Sequence, residues 1–169
     1  MKIRIADIVQ DSIVDGPGIR LTIFLQGCSH HCPGCHNPAT WDYDGGRLMD
    51  TDEIIAMMDA NPLLDGITLS GGEPLWQPLA CVELAKAAHE RGLSVWCYTG
   101  YYWEYMLDVY RADTVGVLAG HIDVLVDGPY MEDRRTLELP WRGSRNQRLI
   151  DVQSSLKTGH VVEYKEVMT

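Results

Sequence analysis

Three cysteines fall within eight residues, Cys28-Ser-His-His-Cys32-Pro-Gly-Cys35. In a chain with no disulfide pattern, clustered thiols point to metal binding or redox chemistry. A structural zinc or a saturated iron–sulfur cluster normally takes four ligands. Three cysteines would leave one iron of a [4Fe–4S] cluster open, and an open iron can bind a substrate and reduce it. The alternative is a zinc ion held by the three cysteines plus His30, His31 or His36, and spacing leaves both readings open. A zinc deaminase fits less well, because it needs Pro-Cys-x-x-Cys and an upstream His-x-Glu. Here Pro33 lies between the cysteines and no histidine precedes His30. The other two cysteines, Cys81 and Cys97, lie on an apolar helix face and in an apolar strand, where cysteine is expected to pack as a small hydrophobe.

A second segment, Ser70-Gly71-Gly72-Glu73-Pro74-Leu75, follows a short apolar strand. Together with Cys28-x-x-x-Cys32-x-x-Cys35, it resembles the radical S-adenosylmethionine superfamily. Further stretches narrow the resemblance: Asp15-Gly16-Pro17-Gly18-Ile19-Arg20, Gly27-Cys28, Cys32 to Asn37, Trp96 to Tyr101, Val124 to Gly128, and Trp141-Arg142-Gly143-Ser144-Arg145-Asn146-Gln147. They are similar to the activating proteins of anaerobic ribonucleoside-triphosphate reductases. The resemblance implies a [4Fe–4S] cluster on Cys28, Cys32 and Cys35, with S-adenosyl-L-methionine chelating the fourth iron. Reductive cleavage of that cofactor would yield a radical that takes hydrogen from a reductase glycine, and no catalytic residue beyond the cluster and cofactor is implied. The implied cofactor-binding residues are Gly34, Cys35 and His36 near adenine, and Gly71 and Gly72, whose missing Cβ atoms admit the methionine moiety. They also include Glu73 as acceptor for the amino group, and Asp127, which matches a strand-end acid in glycyl-radical activases. The implied partners are the reductase and a flavodoxin- or ferredoxin-type electron donor.

Elements that would carry these loops are legible as patterns. Ile3 to Val9 and Ile19 to Gln26 read as strands. Asp50 followed by Glu53 is a helix-start signature, with an apolar face through Ile54, Ile55, Met57 and Met58. Gly66 to Ser70 reads as a strand, Pro78 to Arg91 as a helix closed by Gly92, Leu93 to Tyr98 as a strand, and Tyr102 to Tyr110 as a helix. Ile122 to Val126 reads as a buried strand, with one or two more after Pro140. Strands alternating with helices predict a parallel sheet of about five or six βα units. A closed eight-fold barrel needs about 250 residues, so an α/β open or partial barrel in one domain over 1–169 is expected. Its ligands would bind at the carboxyl ends of the strands, where the loops 27–37, 71–75, 99–101 and 127–130 fall.

Composition excludes several classes of function. With 46% hydrophobic and 22% charged residues in 169, the chain has the make-up of a folded domain rather than a disordered one. No apolar run approaches the roughly 18 residues of a membrane span, and Met1-Lys2-Ile3-Arg4 begins no signal peptide, so a cytoplasmic protein is expected. A net charge of −10 disfavours nucleic acid as a partner. Against that charge, Arg134, Arg135, Arg142, Arg145 and Arg148 form a basic island broken by one acid, Glu138. It is either a solvated face or a docking surface. His89, His121 and His160 carry no spacing signal. The rival functions are an activase of another glycyl-radical enzyme of the formate-lyase type, a plain electron carrier, and a zinc-stabilised binding module.

Overall fold

The computed structural model describes residues 1–110 and 114–165. Its centre is one seven-stranded sheet. The strands are β1 (Lys2–Ser12), β2 (Arg20–Leu25), β3 (Arg47–Asp50), β4 (Gly66–Gly71), β5 (Ser94–Tyr98), β6 (Val124–Asp127) and β7 (Arg148–Asp151), in the spatial order β3-β1-β2-β4-β5-β6-β7. The four middle strands β2, β4, β5 and β6 are parallel. The flanking strands β1, β3 and β7 run antiparallel to their neighbours. The sheet is open, with β3 and β7 as its edges.

Five or six parallel units therefore overcounts: three crossovers join the four parallel strands. The alternation that marks a strand carries no direction. Direction follows from connection length, since a parallel return needs a dozen or more residues. The turn from Ser12 to Arg20 is too short for that, so β1 and β2 form an antiparallel pair. Three short elements carry too little pattern to be seen in the sequence: edge strand β3, helix α4 (Thr114–Ala119) and helix α5 (Val152–Thr158). One strand, β7, follows Pro140 among the described residues.

Helix α1 (Thr51–Ala60) starts at the expected capping box: Asp50 accepts from Asp52 N, and the Glu53 carboxylate accepts from Asp50 N at 3.0 Å. Helix α2 (Pro78–Glu90) has proline in its first turn and ends before Gly92, whose φ of 72° is the left-handed conformation glycine adopts freely. Helices α3 (Trp103–Tyr110) and α5 (Val152–Thr158) complete the set. None of these helices is long and apolar enough to cross a membrane.

The two faces of the sheet differ. Leu21, Ile23, Leu25, Ile67, Leu69, Val95, Cys97, Leu125 and Ile150 pack with Ile54, Met58, Leu84, Ala88, Met106 and Leu118 from the helices in one apolar core. The alternate residues include Arg20, Thr22 and Thr68, all fully buried, and a smaller cluster of Trp96, Val124, Val126 and Leu149 against Trp141 and Tyr164. Arg20 ties this face together. Its guanidinium donates to Thr68 Oγ1 (2.8 Å), Ile67 O (2.8 Å), Ser94 Oγ (3.0 Å) and Pro17 O (3.1 Å). The Asp15–Gly18 turn is thus pinned to the sheet by five-donor arginine chemistry, and burial lowers the Arg20 pKa to about 10.

Candidate functional site

The parallel strands start in register, Arg20 beside Gly66 and Gly66 beside Ser94, so their carboxyl ends deliver four loops to one place. The first loop leaves β2. Gln26 is buried and anchors it, its side-chain amide donating to Ala39 O (2.9 Å) and Asp42 O (2.7 Å). Gly27 follows with φ 105°, its N–H on Thr40 O at 2.7 Å, and Cys28 N donates to Trp41 O. Cys35 N returns to Cys32 O at 3.0 Å, and Asn37 N donates to Cys35 Sγ. Cys28 is buried and Cys32 and Cys35 half-buried, and none is in a disulfide.

All three thiols line one cavity of about 220 Å³. Desolvation pushes the Cys28 and Cys32 thiols up, an effect opposed by backbone groups of His30 and His31 at Cys28 and of Tyr130 at Cys32. Ligand thiols must lose their protons to bind metal, and backbone N–H groups aimed at sulfur favour the thiolate that results.

The second loop, after β4, is held against the first. Gly72 N donates to Leu25 O and Glu73 N to Gly27 O, each at 2.8 Å. Gly71 has φ 90°, and a Cβ there would lie 2.5 Å from Leu25 N. A Cβ on Gly72 would lie 2.4 Å from Gly27 O. The family resemblance gives these glycines to the ligand; the protein's own backbone, at the end of β2 and in the cysteine loop, is a second reason why neither position admits a side chain. Both still line the cavity.

Glu73 is fully buried and is not on the cavity wall. Its carboxylate accepts from Leu75 N (3.1 Å), Thr99 Oγ1 (2.9 and 3.0 Å), Gly100 N (2.9 Å) and His30 Nε2 (2.7 Å). Those donors come from three of the four loops.

The third and fourth loops add Tyr98, Thr99, Gly100, Gly128 and Tyr130 to the wall. Asp127 is also fully buried and off the wall. It accepts from Trp103 N at 2.9 Å, at the start of α3, and is ion-paired with Arg148, which also holds Glu104. The Trp141–Gln147 stretch braces this loop from above. Gln147 donates to Gly128 O (3.0 Å) and accepts from Gly143 N (2.9 Å), Asn146 donates to Pro129 O (2.8 Å), and the Tyr98 hydroxyl donates to Trp141 O (2.7 Å). Thr99, Tyr130 and Gln147 went unassigned in the sequence, since an isolated Thr, Tyr or Gln carries no spacing signal.

Of the expected adenine neighbours, Cys35 and His36 line the cavity and Gly34 does not; Gly34 has φ 76° and a Cβ there would strike the Glu132 carboxyl, and the His36 ring lies 4.9 Å from that of Tyr130. The histidines offered for zinc are otherwise engaged. His30 is on Glu73, His31 stacks on Trp41 at 4.4 Å, and His36 faces Tyr130. Among the described residues, no three His, Cys, Asp or Glu side chains converge as ligands of a single ion would. The donor set, three thiols on one cavity beside an open face, fits a cluster with a free iron. Cys81 and Cys97 are fully buried in the apolar core, as expected.

Comparison with known proteins agrees with this chemistry. Residues 14–150 match the family described as a 4Fe-4S single cluster domain. Over 144 residues the chain is 38% identical to the "Anaerobic ribonucleoside-triphosphate reductase-activating protein" of Escherichia coli K12, covering 80% of this chain and 90% of that one. Proteins of the same name match at 41% in Salmonella typhimurium, with the same coverage, and at 36% over 143 residues in Enterobacteria phage T4, covering 80% of this chain and 86% of the phage protein.

Proposed function

The chain belongs to the family of anaerobic ribonucleoside-triphosphate reductase-activating proteins, and we propose that it activates such a reductase by placing a radical on one of its glycines. In this reading Cys28, Cys32 and Cys35 hold a [4Fe–4S] cluster. The observation that carries it is the shared cavity: three thiols and the Gly71-Gly72 loop line one wall, with no fourth cysteine beside them. A cluster held there would supply the electron for reductive cleavage of S-adenosyl-L-methionine into methionine and a 5′-deoxyadenosyl group, the chemistry that would remove a hydrogen atom from the glycine.

The chain's own residues bind, orient and enclose. The carbonyl-rich Ser70–Gly72 edge receives the methionine end, and the backbone at Gly34 to His36, with the His36 and Tyr130 rings, receives adenine. Asp127 acts by holding the Gly128–Tyr130 loop in place through Arg148 and the start of α3. The open seven-stranded sheet with helices on it supports a reading as a partial barrel of the radical S-adenosylmethionine type, in which the glycine-bearing segment would approach at the carboxyl ends of the parallel strands. The electron comes from a flavodoxin- or ferredoxin-type donor in the cytoplasm.

The test is product analysis. Protein reconstituted anaerobically with iron and sulfide, then given S-adenosyl-L-methionine and dithionite, should release 5′-deoxyadenosine and methionine. A colourless protein that binds zinc, or an iron–sulfur protein that leaves the cofactor intact, contradicts the proposal.

A further inference from the structure

Glu73 is the acid that a ligand's amino group was expected to find, yet no edge of it is free. A carboxylate offers about four lone-pair sites, and four groups occupy them: Leu75 N, Gly100 N, Thr99 Oγ1 and His30 Nε2. Glu73 is completely buried and the His30 side chain 16% exposed, and of the two only His30 lines the cavity.

The His30 ring is fixed on several sides. Tyr101 meets it edge-on at 4.6 Å. Gly100 packs so closely that a Cβ there would lie 2.5 Å from the ring. Its Nε2 is turned to Glu73 Oε2 at 2.7 Å, which leaves the rest of the ring to the cavity wall. The backbone of His30 also faces the Cys28 sulfur. One residue thus joins the cysteine loop, the Gly-Gly-Glu loop and the loop after β5.

We propose that His30 is the residue that meets the methionine end of S-adenosyl-L-methionine, and that Glu73 is a positioning residue acting through it. The proposal rests on the function proposed above. An imidazole fixed on a buried carboxylate, on the same wall as Gly71 and Gly72, offers a polar ring edge to the amino and carboxylate groups of the cofactor's methionine end. It also makes cofactor affinity depend on a side chain of the cysteine loop, so the loop that carries the cluster also orients the ligand.

The experiment measures S-adenosyl-L-methionine affinity by calorimetry on the reconstituted, unreduced protein, where no turnover occurs, alongside iron content. A hydrogen bond to a charged group is worth enough that His30→Leu should weaken binding about tenfold or more, with iron near the wild-type value. His30→Gln places an amide near the Nε2 position and should recover much of the loss. Glu73→Gln should weaken binding similarly, and the double variant Glu73→Gln/His30→Leu should bind no worse than His30→Leu alone, because the two act in series. Wild-type affinity in His30→Leu with a loss in Glu73→Gln would mean that Glu73 meets the ligand directly, and overturns the proposal. Additive losses overturn it too, as does loss of iron in both His30 variants, which would confine His30 to holding the cysteine loop. A wild-type protein that binds no S-adenosyl-L-methionine contradicts the proposed function itself.

Discussion

Cys28, Cys32 and Cys35 occupy a loop at the strand ends, on the wall of a cavity, with backbone groups turned toward two of the sulfurs. Cys81 on α2 and Cys97 in β5 lie in the apolar core, fully buried. Burial pushes the Cys81 thiol up to about 12 and Cys97 well above its ordinary value. Five identical side chains are thus divided by their surroundings into two chemical kinds. Thiols beside open space are available to iron, while thiols locked in hydrocarbon behave as small apolar groups.

The sharpest way to break this division is to remove the cysteines one at a time. Alanine at Cys28, Cys32 or Cys35 should abolish cluster assembly, read as loss of iron, of visible absorption and of all cofactor cleavage. A Cys81→Ala/Cys97→Ala double variant should keep its iron, and losing it would erase the distinction.

Next in size is Gly72→Val. The modest effect suggested by a glycine facing a ligand is a weaker hold on the cofactor alone. The 2.4 Å approach of a Cβ to Gly27 O implies more: the branched side chain must push the cysteine loop away. Iron content and cofactor affinity should fall together, and a variant with full iron would show that the two loops are not mechanically joined.

Arg148→Met tests the other end of the cavity. It leaves the buried Asp127 carboxylate without its ion-pair partner, an uncompensated charge whose cost is about 3 kcal/mol. Chemical denaturation should register that loss, and an unchanged midpoint would mean that the Asp127–Arg148 pair does not hold the Gly128–Tyr130 loop. Cys97→Ala alone should lower stability by about 1 kcal/mol, the order of deleting one small buried group, with cluster content unchanged.

These expectations divide along what sequence patterns encode. Cysteine spacing and the Gly-Gly-Glu segment pointed to the candidate site because metal ligands and turn glycines leave strong local signals. Glu73 and Asp127 were visible as acids at strand ends, but their use was not: both are buried and fully engaged by partners from 2 to 43 residues away in sequence, contacts that no local pattern announces. His30 was one histidine among three for the same reason. The parallel core strands were legible from alternation and helix punctuation. The antiparallel flanks were not, since periodicity fixes which face a residue joins and not which way a strand runs.

The basic island gives the smallest effect. Arg148 is spent on Asp127 and Glu104, and Arg145 pairs with Glu138. Arg134 and Arg135 are exposed and form no ion pair among the described residues, and Arg135 lines a groove that shares Tyr98, His36 and Gly143 with the cysteine cavity. Reversing both to Glu should slow cluster reduction by an acidic donor a few-fold at low ionic strength, with the deficit shrinking as salt rises. Equal rates at low salt would make the island a solvated face.

The most direct measurement of the central claim is electron paramagnetic resonance of an anaerobic mixture of the reconstituted protein, S-adenosyl-L-methionine, a reductant and an anaerobic ribonucleoside-triphosphate reductase. A stable organic radical should form on the reductase, narrow when its glycines carry deuterium, and be absent with Cys32→Ala. A cluster-loaded protein that cleaves the cofactor yet leaves the reductase without that signal would contradict the account.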